Sequence, residues 1–311
     1  MSNRSNNNIS INIDMIDFED LNLFWQYPVI TEEEFFNQNK KYSNFIGVPW
    51  ATIIDKNIDL NNVLYHVRPQ IKNSNNYTCC QHIHFRTLVP LFKSLNINRL
   101  YTSHKIINED VVDDIKLISC PLYAVNVEDV NRNLKFKDVD FINTERDIFY
   151  SFAGASMRHY LSDVRERIFN ISHPSDCVVR NTDVWHFEEQ VYSDAQNASG
   201  STITDDSSID MYNDLLMRSR FSLCPGGAGP NTIRFWESLG AGSIPVLLSD
   251  TYELPRHELW DDTIIRVEER DVTNIVEILS TVPEETVFKM RVNCLKIYNH
   301  FRKNYINEPL S

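Results

Sequence analysis

A glycine-rich stretch over 225–230, with the sequence PGGAGP, has the residue types that bind an anionic ligand. Its glycines allow the backbone to approach a ligand closely and to adopt positive φ. The residues before it predict a strand over Phe221–Cys224, and those after it predict a helix from about Thr232 to Leu239 with Asn231 as its N-cap. A second strand is predicted over Ser243–Ser249. Such a strand–loop–helix–strand unit presents backbone N–H groups at a helix N-terminus, where anions bind.

Two charged side chains of the predicted helix, Arg234 and Glu237, are three positions apart and therefore share a helical face. The helix dipole disfavours a cation in the first turn, and a diphosphate bound beside Arg234 would reverse that penalty. Glu237 could accept hydrogen bonds from ribose hydroxyl groups. The alternative is a plain Arg–Glu pair beside an ordinary turn. The segment contains neither a Walker A loop nor a GxGxxG sequence, so it matches neither of the common nucleotide-binding motifs.

Four residues of the first half could take a proton from a hydroxyl group, which is the task of a general base. His104 and Asp55 each stand at the end of a predicted strand, and His82 and His84 lie in the sequence CCQHIHF. On a helix, His82 and His84 do not share a face, so only one of them could point toward a site. The alternative for each histidine is a hydrogen-bonded, partly buried residue without a chemical role.

Two further patterns have a chemical and a structural interpretation. Asp138-Val-Asp140 is a DxD sequence, which could hold a metal ion and a diphosphate, and its charged surroundings are also typical of a solvated linker. Trp185 and His186 could form an aromatic platform for a base or a sugar. The alternative is a core tryptophan beside a surface histidine.

The elements that must position these residues alternate between strands and helices, which predicts an α/β layer architecture. Residues 45–55 predict a buried strand, and residues 79–95 predict a helix. A short strand is predicted over 99–104 and a strand-like pair over 115–127. The charged stretch near 140–146 is the predicted boundary between two domains.

A second alternating series follows this boundary. Residues 147–154 predict a strand, residues 157–170 a helix, and residues 211–218 a short helix. The polar residues 193–208 predict a mobile loop that could close over a bound ligand. Residues 284–303 have apolar side chains along one helical face and predict a terminal helix.

The composition excludes several classes of protein. The 311 residues include 30 Lys and Arg and 43 Asp and Glu, which gives a formal net charge of −13 and disfavours binding along a nucleic-acid backbone. No apolar run is long enough to span a membrane, and the first residues lack the apolar region of a signal peptide, so we expect a cytoplasmic protein. Six scattered cysteines without CxxC spacing indicate reduced thiols rather than a zinc ribbon.

Three stretches of the sequence resemble the exostosin-like glycosyltransferases, glycosyltransferase family 47. They are the segment 221–250, the tripeptide ELP at 253–255 and the segment YSFAGASMRHYLSDVRERIF at 150–169. They are most similar to the short prokaryotic-type or viral members without a membrane anchor. The resemblance implies a GT-B fold, in which two Rossmann-like domains face a cleft and the C-terminal domain binds a nucleotide sugar, usually linked to UDP. It also implies inverting transfer without a required metal or other cofactor.

Carried over by position, the resemblance places Arg234 at the diphosphate and Glu237 at the ribose or the sugar. It implies that Arg158 and Arg165 contact phosphate, and that Gly154 opens a turn near the donor. The residues implied to bind the donor are Gly154, Arg158, Arg165, Pro225, Gly226, Gly227, Gly229, Asn231, Thr232, Arg234, Glu237, Ser249 and Asp250. The catalytic base is expected among His104, Asp55, His82 and His84.

The expected partners are a nucleotide sugar and a glycan, glycolipid or glycoprotein acceptor, with no nucleic acid and no transmembrane anchor; peripheral contact with a membrane stays open. Two alternatives also stay open, a non-catalytic nucleotide-sugar-binding or scaffold subunit and a metal-dependent GT-A enzyme that uses the DxD sequence. The predicted organisation is a frayed N-terminus over 1–12, an acceptor-side Rossmann-like domain over 13–143, a nucleotide-sugar-binding Rossmann-like domain over 144–283, and a C-terminal helix over 284–311 that packs back toward the N-terminal domain.

Overall fold

A computed structural model describes residues 21–27, 29–129, 133–182 and 206–303. Within these residues the chain forms two β-sheets with helices packed against them, which confirms the predicted α/β class. The α-helices are α1 (Thr31–Asn39), α2 (Trp50–Asp55), α3 (Leu60–Val67), α4 (Val89–Ser94), α5 (Val125–Glu128), α6 (Val164–Asn170), α7 (Asp206–Arg218), α8 (Ile233–Gly240), α9 (Ile275–Ser280) and α10 (Glu284–Lys303). Short 3₁₀ helices cover Arg68–Gln70, Phe85–Leu88, Leu134–Phe136, Trp260–Asp262 and Glu269–Asn274.

The N-terminal sheet has four strands in the order β1–β2–β4–β3. Strands β1, β2 and β4 are parallel, and β3 runs antiparallel to β4. Because parallel strands end at the same edge of a sheet, the residues that follow β1 and β2 lie close together. The strands are β1 (Asn76–Cys80), β2 (Ile97–Thr102), β3 (Val111–Val112) and β4 (Ile115–Ser119).

The C-terminal sheet has five parallel strands in the order β6–β5–β7–β8–β9. Its central strands are buried along nearly their whole length, as expected of parallel strands that are covered on both faces. Phe235 and Trp236 of α8 belong to its hydrophobic core. The strands are β5 (Ile148–Gly154), β6 (Val178–Asn181), β7 (Ser219–Pro225), β8 (Ile244–Leu248) and β9 (Ile265–Arg266).

Helix α10 forms at the predicted place because apolar side chains recur along one of its faces. Val287, Cys294 and Phe301 are buried in the core of the C-terminal sheet. Near its end, Tyr298 donates a hydrogen bond to Glu128 of α5, and Arg302 forms an ion pair with the same carboxylate. The helix therefore packs on the C-terminal sheet and contacts α5 at its far end. None of the six cysteines forms a disulfide.

The predicted strand over 45–55 is wrong. Phe45 forms an isolated β-bridge with Tyr77, and residues 50–55 form helix α2, which Pro49 precedes. A short buried apolar run has the same pattern in a strand and in a helix, so periodicity could not distinguish them. Pro49 is the N-cap of this helix, where it has no N–H group to leave unpaired, and its carbonyl oxygen accepts from Ile53 N at 3.3 Å.

The predicted helix over 79–95 is correct only at its end. Cys79 and Cys80 finish strand β1, and the α-helix begins at Val89 after one 3₁₀ turn. His82 and His84 therefore lie in a loop, which we call the histidine loop (residues 81–84). The prediction that only one of them could point toward a site assumed a helix, so it does not apply here. Their ring centroids are 5.4 Å apart.

Two further boundaries differ from the predictions. The helix predicted over 157–170 begins only at Val164, so Arg158 lies in a turn before it. The second part of the pair predicted over 115–127 is not a strand, because helix α5 follows Pro121. In both cases polar or proline residues shorten the regular element.

Several sequence-based interpretations lie outside the described residues. They concern Trp185, His186 and the part of the polar loop 193–208 before α7. Among the helices within the described ranges, none has both the length and the apolar character that crossing a membrane requires.

A buried carboxyl group joins three segments of the N-terminal half and provides a test of the fold. Glu32 of α1 accepts hydrogen bonds from the backbone N–H groups of Ala51 and Gln81. Burial raises the pKa of Glu32 from its ordinary value to about 8. As pH rises from 4.5 toward 8, the unfolded chain ionises this group while the folded chain keeps it protonated, so its contribution to stability falls.

We expect Glu32→Gln to remove this pH dependence. The free energy of unfolding of the wild type, relative to that of Glu32→Gln, should decrease by about 3–5 kcal/mol between pH 4.5 and pH 8. Urea unfolding of both proteins at four pH values in this interval measures the difference. Parallel pH profiles would show that Glu32 ionises in the folded protein as it does in the unfolded chain.

Candidate functional site

The glycine loop (residues 225–230) connects β7 to α8 at the carboxyl edge of the C-terminal sheet. The N–H group of Gly227 donates to the carbonyl of Gly229 at 3.0 Å, and the N–H group of Gly226 donates to Leu248 at 3.0 Å. Among the described glycines, positive φ occurs at Gly242 and not in this loop, so the loop does not use the positive φ that its glycines allow. The glycines instead permit close approach of neighbouring groups, as the contacts below show.

Arg165 holds the glycine loop from one side. Its guanidinium group donates to the carbonyl oxygens of Gly226 at 2.8 Å, Pro225 at 3.3 Å and Ala155 at 3.0 Å. It also lies over the ring of Tyr160, 4.7 Å from the centroid. Burial lowers the pKa of Arg165 to about 10, which leaves it charged at neutral pH. Arg165 therefore shapes the loop through its carbonyl groups.

Arg234, in the first turn of α8, lies beside the same loop. It donates to the carbonyl of Ala153 and lies between the rings of Phe152 and Tyr212, 4.9 Å from each centroid. Its charge is close enough to Arg165 to lower the pKa of that residue. Within the described residues, neither guanidinium group forms an ion pair with a carboxylate. Two uncompensated cations beside a helix N-terminus attract an anion.

The N-terminus of α8 differs from the prediction at one residue. Thr232 is the N-cap, with extended backbone and no side-chain capping bond, and Asn231 precedes it. Asn231 Oδ1 accepts from Thr232 N at 2.8 Å and from Trp236 Nε1 at 3.2 Å. Among the described residues no side chain caps this end, so it keeps the partial positive charge of a helix N-terminus, which attracts anions.

Glu237 is buried, with 2% of its surface exposed. Its carboxylate accepts from the Tyr212 hydroxyl at 2.6 Å and from the backbone N–H of Asn126 at 3.3 Å. Burial and the Glu237 carboxylate raise the pKa of Tyr212. Tyr212 could not be selected from local sequence patterns, because its pairing with α8 is a tertiary contact. Glu237 therefore connects α5, α7 and α8. The predicted contact of Glu237 with ribose stays a prediction.

The other predicted donor-binding residues are distributed around the glycine loop. Ser249 approaches Gly226, and Gly154 approaches the Arg234 guanidinium group. Asp250 Oδ1 accepts from Glu269 N at 2.9 Å, so its carboxylate caps the 3₁₀ helix Glu269–Asn274. Arg158 is exposed.

His82 and Asp55 form a hydrogen-bonded pair in the N-terminal half. His82 Nε2 lies 3.0 Å from Asp55 Oδ1, and Asp55 Oδ2 accepts from Gln26 Nε2. His82 Nδ1 accepts from the backbone N–H of His84 at 3.0 Å, so the ring proton of a neutral His82 is on Nε2 and points to Asp55. A carboxylate that orients a histidine in this way is the arrangement of an activated base.

His104, which follows β2, has a different environment. It is 7% exposed, and its Nδ1 atom has no hydrogen-bond partner in the part of the chain that the structure describes. Burial lowers its pKa to about 3, so the ring is neutral at physiological pH. A neutral imidazole with so low a pKa accepts a proton poorly.

The glycine loop and the histidine loop are in direct contact. A Cβ atom placed on Gly229 would lie 2.5 Å from Ile83 Cγ2 and 2.7 Å from His104 Nδ1. Asn231 Nδ2 donates to the carbonyl of Ser103, next to His104, at 2.9 Å. The carboxyl edges of the two sheets therefore meet at this point. Ile83 could not have been selected from the sequence, since its role depends on a contact between distant segments.

The DxD sequence lies elsewhere. Asp140 accepts hydrogen bonds from the N–H groups of Ile142 and Asn143 and caps its own turn. The nearby Phe141 carbonyl approaches Gly242, at the opposite end of α8 from the glycine loop. A search of the described residues finds no cluster of three or more His, Cys, Asp or Glu side chains that could hold a metal ion.

We expect Gly229→Ala to disturb this contact. The added methyl group would displace the loop or its neighbours, costing about 1–3 kcal/mol of stability. Displacement of about 1 Å between the two loops should lower turnover by about 10- to 100-fold. Gly242→Ala is the matched control, because positive φ makes it destabilising at a distance from the loop. Urea unfolding and kcat are measured for both; equal turnover in the two variants would exclude a specific role for Gly229.

Comparison with known proteins places the chain in a family. The pattern described as "Exostosin GT47 domain" matches residues 81–282, more than half of the chain. The chain is 27% identical over 191 residues to "Exostosin-1 homolog" of Caenorhabditis elegans, which covers 60% of this chain and 49% of that protein. It is 38% identical over 82 residues to "Exostosin-1" of Drosophila melanogaster, covering 26% of this chain and 11% of that protein.

A plant relative matches over a shorter stretch. The chain is 34% identical over 80 residues to "Probable beta-1,4-xylosyltransferase IRX10L" of Arabidopsis thaliana, covering 25% of this chain and 19% of that protein. The chain thus spans half or less of the length of each of these relatives. The family match begins at the histidine loop and includes the glycine loop, Arg234 and Glu237. This chain belongs to the exostosin GT47 family.

Proposed function

We propose that this protein is a GT-B glycosyltransferase that moves a sugar from a UDP-linked donor to a hydroxyl group of a glycan acceptor, with inversion at the anomeric carbon. The observation that carries the proposal is the pair Arg165 and Arg234, which have no carboxylate partner among the described residues and lie beside the glycine loop, near an end of α8 that no described side chain caps. The relatives' names, which include a probable xylosyltransferase, support the sugar-transfer chemistry.

The donor diphosphate fits the glycine loop for electrostatic reasons. Arg234 and backbone N–H groups of α8 would contact its oxygens, and Arg165 would keep the loop in the shape that presents them. These groups stabilise the charge that develops on the leaving diphosphate, a preorganised contribution that requires no metal ion. The two sheets meet at their carboxyl edges, where open α/β sheets bind ligands.

His82 is the proposed base, and Asp55 orients it. The acceptor oxygen forms a bond to the anomeric carbon, and the bond from that carbon to the diphosphate breaks, with its electron pair leaving on UDP. The acceptor proton passes to His82 Nδ1, which must first exchange its bond to the His84 amide, at a cost of about 1 kcal/mol. His104 is a weaker candidate, because its Nδ1 atom is enclosed and its pKa is low.

The test is an assay of UDP release from a panel of UDP-sugars, in EDTA and in Mg²⁺, with and without oligosaccharide acceptors. We expect slow release from one donor without acceptor and faster release with a suitable acceptor. Tight UDP binding without release from any donor would favour the non-catalytic subunit. Release that requires a divalent metal would contradict the metal-independent mechanism.

A further inference from the structure

The Asn231 side chain connects the two halves of the molecule, the one built on the C-terminal sheet and the one built on the N-terminal sheet. Its Oδ1 atom accepts from two N–H groups of its own half, those of Thr232 and Trp236. These donors fix the orientation of the amide, because an NH₂ group could not accept from either of them. Its Nδ2 atom must then face the N-terminal half, where it donates to the carbonyl of Ser103 at 2.9 Å.

The acceptor of this bond is itself held in place. Ser103 is fully buried, and its hydroxyl donates to the carbonyl of Pro121 at 3.0 Å. Ser103 directly precedes His104. Both His104 and Ile83 of the histidine loop contact Gly229. The bond from Asn231 to Ser103 therefore joins the start of α8 to the segment after β2, at the point where the glycine loop and the histidine loop touch.

A second set of contacts joins the halves independently of Asn231. Lys105 is buried, is held by Asp110 of its own half, and forms an ion pair with Glu253 of the other half. Ile106 and Tyr252 form an antiparallel bridge. Loss of the Asn231 bond should therefore leave the halves attached while it alters the position of the glycine loop.

We propose that Asn231 is a positioning residue that docks the glycine loop against the histidine loop and so sets the distance between the bound donor and the base. This inference rests on the proposed function for its effect on turnover. Its structural part, that the Asn231 amide keeps the loop seated over His104, does not depend on any substrate.

The test compares Asn231→Ala with Asn293→Ala. Asn293 is equally buried and donates to the carbonyl of Asp262 at 3.0 Å, within the C-terminal half alone. We expect Asn231→Ala to lower kcat by about 10- to 30-fold while the Kd for UDP changes by less than about threefold. Asn293→Ala should lower thermal stability to a similar extent and leave kcat unchanged. Unchanged kcat in Asn231→Ala, or a loss explained entirely by weaker UDP binding, would overturn the proposal.

A second measurement separates this proposal from the function. Histidine-selective NMR follows the titration of the His104 ring without any substrate. In the wild type and in Asn293→Ala the ring should stay neutral down to low pH, because burial lowers its pKa. In Asn231→Ala the loosened loop should admit water, so the pKa should rise toward its ordinary value. A shifted pKa without activity on any UDP-sugar would reject the function alone, whereas an unshifted pKa would reject the seating of the loop.

Discussion

Replacing Arg234 by alanine is expected to lower kcat/KM for the nucleotide-sugar donor by about 10²- to 10³-fold. The guanidinium group faces no carboxylate within the described residues and lies beside the glycine loop, so its loss removes positive charge where the diphosphate would bind. Arg234→Lys should recover only part of the loss, because an ammonium group cannot reproduce the contacts of the guanidinium group with the Phe152 and Tyr212 rings. Steady-state kinetics with varied donor measure both variants.

Arg291→Ala is the matched control for this prediction. Arg291 is also partly buried and donates to backbone carbonyls, those of Ile142 and Thr144, but it lies near Gly242 at the far end of α8. The Arg291→Ala protein should be less stable than the wild type and should bind the donor with the same affinity. Similar kinetics for the Arg234 and Arg291 variants would mean that Arg234 serves only to pack the C-terminal half.

Replacing His82 by alanine is expected to lower kcat by about 10²- to 10⁴-fold, the range for loss of a general base. The Kd for UDP should stay close to that of the wild type, because the histidine loop does not hold the diphosphate in this account. Asp55→Asn should have a smaller effect, about 10- to 100-fold, since it removes the carboxylate that orients the ring and leaves the imidazole in place. Rapid-quench kinetics at saturating donor measure the two effects.

His173→Ala is the control for loss of a histidine. Both ring nitrogens of His173 are hydrogen bonded, to Tyr150 and to the carbonyl of Ile168, in the C-terminal half. Its removal should destabilise the protein without changing kcat. If His104→Gln loses more turnover than His82→Ala, the roles of these two histidines must be exchanged.

The sequence predicted the C-terminal half better than the N-terminal half for a physical reason. Around the glycine loop, β7, α8 and β8 follow each other with clear turn residues between them, so local patterns sufficed. In the N-terminal half, Pro49 starts a helix within an apolar run that also suits a strand. The predicted end of α8 near Leu239 is also correct within one residue, and Gly242, which follows the helix, has the positive φ that a helix end favours.

The details of the site depend on contacts that local patterns do not contain. The pairing of Asp55 with His82 joins residues 27 positions apart, and that of Glu237 with Tyr212 joins residues 25 positions apart. The sequence identified Asp55 and His82 as separate candidates, and only the fold shows that the two side chains are hydrogen bonded to each other. The bond between Asn231 and Ser103 spans 128 positions, so it could not be inferred from spacing.

We expect the glycine loop and Arg234 to bind the diphosphate of a uridine nucleotide without a metal ion. A thermal-shift panel of UDP, GDP, CMP and dTDP, each in EDTA and in Mg²⁺, tests it on the wild type, Arg234→Ala and Arg291→Ala. A ligand at 100 times its Kd adds about 2.7 kcal/mol of stability, which raises the unfolding midpoint measurably. We predict that UDP stabilises the wild type and Arg291→Ala equally with and without metal, and that Arg234→Ala loses this effect. Stabilisation that requires Mg²⁺, or that Arg234→Ala retains in full, would contradict the account.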